Sequence, residues 1–211
     1  MRISSVFGVI CLSSQLILSS LSPATVVWNE SVNGDLSNNQ AVPTAITLSP
    51  GVNSVIGTVT GLVDPQDWIA LTIPAGFQLS SDVLESYAST DLQGFTGVQA
   101  GSSFVGSPFF ASSYLGYCHV GTGATNGGLP ATDLVGLDLL PLMGDNVNIS
   151  PGSAGFTPPL PSGTYTFLIQ QTGAATAYQF DYGMTAVPEP TSIGLLVGGA
   201  MLALRRRTRR A

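Results

Sequence analysis

Two aspartates, Asp64 and Asp67, bracket Pro65-Gln66 where a turn meets an apolar stretch. Oxygen donors so close together suit a hard cation, so calcium is the metal that Asp64 and Asp67 could take. No EF-hand loop accompanies them, and a turn with two aspartates can also be held by its own side-chain caps. Zinc is a poor fit, because His119 is the sole histidine and Cys118 the sole cysteine beyond Cys11 near the start. One of each cannot build a typical four-ligand site. Cys118 and His119 are neighbours, and adjacent residues of a strand face opposite ways, so they make no thiolate–imidazole dyad. The expected arrangement is one residue in the core and the other at the surface. Glu30, Glu85 and the scattered Asp133, Asp138 and Asp145 offer no spacing that singles out a glycosidase pair. There is no Gly-x-Ser-x-Gly and no lysine, which excludes a nucleophile elbow and a P-loop. No catalytic residue is therefore assigned.

The other chemistry on offer is aromatic. Residues 94–128 interleave Phe95, Phe104, Phe109, Phe110, Tyr114 and Tyr117 with glycine and serine. Such a segment can cross the body as a long excursion with its rings pinned to the core. It can also present an exposed platform that stacks on the apolar C–H faces of sugars. Phe109, Phe110 and Tyr114 are the candidate ligand-binding residues for the second case.

The elements that must position these residues read as strands, without a convincing amphipathic helix. Candidates are 45–48, 54–60, 67–73, 77–87, 115–120, 134–140, 163–171 and 178–185. Ile69, Leu71 and Ile73 recur at period two, and Pro74-Ala75-Gly76 follows as a turn. The last two segments, TYTFLIQQ and YQFDYGMT, read as an antiparallel pair closing the domain. Many short strands punctuated by Gly, Pro and Asn predict an all-β fold, a single antiparallel jelly-roll-like β-sandwich over residues 27–186.

Charge narrows the function. Only 9% of the 211 residues are charged, against roughly 25% in ordinary domains. The six basic residues are Arg2, Arg205, Arg206, Arg207, Arg209 and Arg210, so nothing between Ser4 and Leu204 carries a lysine or arginine. A body of that kind cannot neutralise phosphates, which excludes nucleic acid as a partner.

Both ends read as processing segments. Arg2 followed by the apolar run Val6–Leu21 predicts a secretory signal peptide over residues 1–26 and passage through the Sec translocon. Cys11 would leave with it, so Cys118 would have no partner within the chain. At the other end, Ser192–Leu204 would form an apolar helix of about 20 Å, short of the ~30 Å hydrocarbon core. The arginines behind it would hold the C-terminus in the cytoplasm.

Pro188-Glu189-Pro190, the apolar segment and Arg205-Arg206-Arg207, in that order over residues 187–211, closely resemble the PEP-CTERM sorting signal. The resemblance implies transient anchoring in the inner membrane and cleavage by an exosortase-type membrane protease. It further implies release to the cell surface or an extracellular polysaccharide matrix.

Within the body, Asp64-Pro65-Gln66-Asp67-Trp68 with Ile69–Ile73 and Ala75-Gly76, then Ser162–Ile169 and Tyr178-Gln179-Phe180, resembles the bacterial pre-peptidase C-terminal type domain. That resemblance implies a jelly-roll-like surface or accessory module and no catalysis. The expected function is that of a non-enzymatic exported surface or matrix protein, associated with exopolysaccharide. The alternatives are a carbohydrate-binding module using residues 94–128 and, more remotely, a hydrolase.

Overall fold

Asp67, Ile69, Leu71 and Ile73 are all buried on one side of a strand, and Trp68 and Ala70 are buried on its other side. The computed structural model describes residues 23–188. The expected sorting signal beyond Pro188, with Glu189, Pro190 and the arginines, lies outside the described residues, as does the expected signal peptide up to residue 22. Among the described residues no helix is long and apolar enough to cross a membrane.

In chain order the elements are β1 (Thr25–Asn29), α1 (Glu30–Asn33), β2 (Thr44–Thr47), β3 (Gly51–Thr60), β4 (Gln66–Ile73), β5 (Phe77–Ser89), β6 (Gly94–Ala100), β7 (Gly116–Val120), α2 (Leu140–Gly144), β8 (Gly163–Gln170) and β9 (Ala175–Ala186). They form an all-β fold of two mixed sheets, ordered β1-β3-β9-β5 and β2-β4-β8-β6-β7. β9 pairs antiparallel with both β3 and β5, and the neighbouring pairs β4–β8, β8–β6 and β6–β7 are antiparallel too. Each sheet then ends in a parallel edge strand, β1 on β3 and β2 on β4, so the expectation of a wholly antiparallel arrangement is corrected. The parallel edges follow from connectivity. The chain leaves β1 through α1 and runs along the second sheet as β2 before returning as β3, which a tight hairpin could not do.

β8 and β9 do not pair. They sit in different sheets, each as an interior strand between two neighbours. A four-residue link, 171–174, carries the chain across the core instead of turning it back. The predicted strand 134–140 is also corrected. It touches β5 at the single bridge Val83–Asp138, then enters α2, with Pro141 in the first turn. The Asp138 carboxylate fixes both events, because Oδ1 accepts from the Asp82 backbone N–H at 2.9 Å and from that of Leu140 at 3.1 Å. β1 and β6 are strands that the sequence reading did not pick out.

Both sheets feed one core. Val55, Leu84, Phe180 and Tyr182 come from the first, and Ile69, Leu71, Val98, Cys118 and Phe167 from the second. Each fully buried Leu, Ile or Phe contributes about 1.5–3 kcal/mol. A smaller cluster, Trp68, Phe104, Tyr114 and Leu168, lies on the opposite face of the second sheet. It is roofed by the excursion between β6 and β7.

Candidate functional site

Three short connections converge where β4 begins. Asn29 caps α1, its side chain accepting from the Ser31 N–H at 3.1 Å, which turns the chain so that Glu30 faces β3. The Glu30 carboxylate accepts from Thr58 N–H at 2.6 Å, Thr58 Oγ1–H at 3.0 Å and Leu36 N–H at 3.1 Å. Ser37 then bridges to Trp68, whose N–H donates to the Ser37 carbonyl at 2.8 Å, laying residues 35–37 beside the start of β4. Glu30, Asp35 and Asp67 thereby offer carboxylate oxygens that all lie within 4.8 Å of one another.

Asp67 is the buried member, at 0% exposure. Its Oδ2 accepts from the Tyr178 hydroxyl at 2.5 Å, while Oδ1 has no partner among the described residues. Tyr178 reaches it from β9 by passing over Gly57 of β3, where any Cβ would collide with the phenol. Burial first, and then the charges of Glu30, Asp64 and Asp35, push the Asp67 carboxyl up to about 8, against the lowering effect of Tyr178. Glu30 is raised mainly by burial and further by Asp35. Asp64 is raised by burial and by Asp35, and its Oδ1 is also buried without a partner. The raised carboxyls of Glu30, Asp64 and Asp67, with two orphaned oxygens between them, gather beside Asp35 with no lysine or arginine among the described residues to offset them. Of the sequence-predicted pair, Asp67 therefore joins Glu30 and Asp35, while Asp64 stands outside that trio and acts on it through charge. Glu30 and Asp35 were not picked out, since their approach depends on β1 lying along β3 and on the Ser37–Trp68 bridge.

The aromatic segment divides. Tyr114 is only 3% exposed, its ring 4.9 Å from Phe104 and its hydroxyl donating to the Pro108 carbonyl at 2.8 Å. It packs beneath the excursion and meets the surface only where it lines a small cavity of about 190 Å³ with Phe95, Phe109 and Tyr117. Tyr114 sits where it does because Gly97 has no side chain: a Cβ there would lie 2.6 Å from its ring. Phe109 and Phe110 are 83% and 65% exposed, at the tip of the same excursion. Cys118 faces the core with its thiol pushed up by burial, and His119 faces the other way, as strand alternation requires.

No known family model matches this chain, and no curated protein matches it.

Proposed function

We propose that the chain is an exported, non-enzymatic protein of the cell surface or extracellular polysaccharide matrix. Its two sheets close on their common core as a jelly-roll-like β-sandwich. In this reading a signal peptide sends it through the Sec translocon. The Pro188-Glu189-Pro190 tag, its apolar segment and Arg205–Arg207 hold it briefly in the inner membrane, where an exosortase-type protease releases it. Calcium is the cofactor proposed for the body, bound by Glu30, Asp35 and Asp67.

The observation that carries this reading is the carboxylate trio with its orphaned Asp67 Oδ1, in a body without lysine or arginine. An all-oxygen donor set without histidine or cysteine fits a hard dication. Extracellular modules bind calcium in the range of about 10⁻⁴–10⁻³ M, so a site of this sort is useful chiefly outside the cell. Bound there, the ion would neutralise the trio and tie α1 to the start of β4.

The test is the intact mass of the protein recovered from the native cell surface and medium. The expected species starts near Ala24, which keeps β1 whole, and ends near Pro188 to Pro190. A mass that retains Arg205–Arg210 would make the tail a lasting anchor and remove the sorting proposal.

A further inference from the structure

The second face of the five-stranded sheet is only half roofed. One row of residues across it, Trp68, Leu168, Gly97 and Tyr117 by register, carries Phe104 and Tyr114 on top. The next row is open. There Gln170, Phe95 and His119 stand side by side on β8, β6 and β7, since Phe95 is in register with both of the others. This row floors a cleft of about 340 Å³, walled by Gln93, Thr172 and the exposed Phe109.

The polar groups of the cleft have definite unused capacity. His119 Nδ1 lies 2.7 Å from the Thr125 carbonyl, which can only accept, so Nδ1 carries a proton and, in the neutral ring, Nε2 is the acceptor. Gln93 Oε1 is taken by the Thr125 N–H and hydroxyl at 2.8 and 2.7 Å, which leaves its NH₂ free to donate. The Gln170 amide has no side-chain partner among the described residues. Phe95 is held in place by Tyr117, stacked at 5.7 Å, and by the edge of His119 at 6.0 Å. The cleft thus combines fixed and exposed aromatic surface with an acceptor, two amides and a hydroxyl at its rim.

The geometry points to a subsite for one ring of a neutral polysaccharide at this cleft. A pyranose ring presents an apolar C–H face with hydroxyls around its edge, and each hydroxyl both donates and accepts. Phe109 and Phe95 match the face, and Gln93, Gln170, Thr172 and His119 match the edge. An anionic ligand would find no lysine or arginine among the described residues. An acyl chain would cover the amides and the imidazole without pairing them, and unpaired buried polar groups are costly. The subsite deepens the proposed matrix role and rests on it for its source of ligand, but the two fail in different measurements.

Affinity electrophoresis of the full chain through gels holding dextran, hydroxyethyl cellulose, galactomannan or alginate tests it. At least one neutral polymer is expected to retard the protein, with affinity at least tenfold weaker in Phe109→Ala and in Gln170→Ala. Phe110→Ala is expected to bind as wild type, because Phe110 does not line the cleft. Far-ultraviolet circular dichroism of each variant checks that folding is intact. Migration unchanged by every neutral polymer would overturn the subsite. So would equal retardation of wild type and Phe109→Ala, or retardation by alginate alone. None of these results would alter the intact mass that tests the sorting reading.

Discussion

The Tyr178 hydroxyl donates to Asp67 Oδ2 at 2.5 Å, joining β9 of one sheet to the start of β4 in the other. Among the described residues it is the sole hydrogen-bond partner of a carboxyl that is wholly buried, and it exists only because Gly57 leaves room for the phenol.

Tyr178→Phe removes that donor and leaves both Asp67 oxygens unpaired. The expected cost in calcium-free buffer is about 1–3 kcal/mol, the penalty for an unsatisfied buried acceptor. Gly57→Ala should cost a similar amount, by forcing the ring aside. Part of the collision is with the hydroxyl itself, so the two substitutions should couple by about 1 kcal/mol, the double variant losing less than the sum. Urea denaturation of the four proteins measures this. Strict additivity would mean that the phenol does not lie against Gly57.

Calcium should raise the melting temperature of the full chain, and EGTA should reverse the rise. At a hundredfold excess over the dissociation constant the expected stabilisation is about 2.7 kcal/mol. Asp67→Asn should abolish the response and Glu30→Gln should blunt it. Glu85→Gln, an exposed change on β5 away from the trio, should leave it intact. A melting curve indifferent to calcium would mean that the trio holds no such ion and would remove the cofactor proposal.

Period-two alternation made 54–60 legible as a strand, with Thr58 and Thr60 exposed between buried residues, whereas Asp67–Ile73 and 163–171 were legible as apolar runs bounded by turns, since both faces of those strands are covered. The same signal missed β6, whose Gly94-Phe95-Thr96-Gly97 places small residues and a ring against the usual pattern. Only in the fold is the reason visible: Gly97 is empty so that Tyr114 can occupy its place. The Asp64/Asp67 turn could be read from spacing alone. Glu30 and Asp35 could not, since nothing local says that β1 will run parallel to β3. Phe109 and Tyr114 are alike in composition and neighbourhood, and only the roof over Gly97 separates the exposed ring from the buried one. The β8–β9 hairpin that the sequence suggests does not form, because a link of four residues, 171–174, suits a crossing between sheets as well as a turn within one.

The most consequential group outside the candidate sites is Asp82. A shift in the β5–β9 register between Leu79 and Ser81 changes which β5 residues face inward, and it sends the Asp82 side chain into the core beside Leu84. There it is 0% exposed, and neither carboxyl oxygen has a partner among the described residues. Burial, and secondarily the charge of Asp138, raise its carboxyl well above the ordinary range. Cys118 and Tyr182 also feel Asp82, and burial raises both, so they stay neutral over the same interval. Asp82 is then protonated in the folded protein and ionised in the unfolded chain at neutral pH. The folded state binds the extra proton, so this stability is fully present below about pH 4, the unfolded value. It is lost as pH rises toward the folded value, by up to about 1.4 kcal/mol per unit. Asp82→Asn keeps the shape and removes the titration. Urea denaturation at pH 5, 6, 7 and 8 in saturating calcium, which holds the trio's state common to both proteins, compares them. Wild type should lose stability relative to Asp82→Asn by about 1 kcal/mol or more across the series. Parallel curves would mean that Asp82 ionises in place, and that water or an ion reaches a carboxyl which the fold otherwise seals.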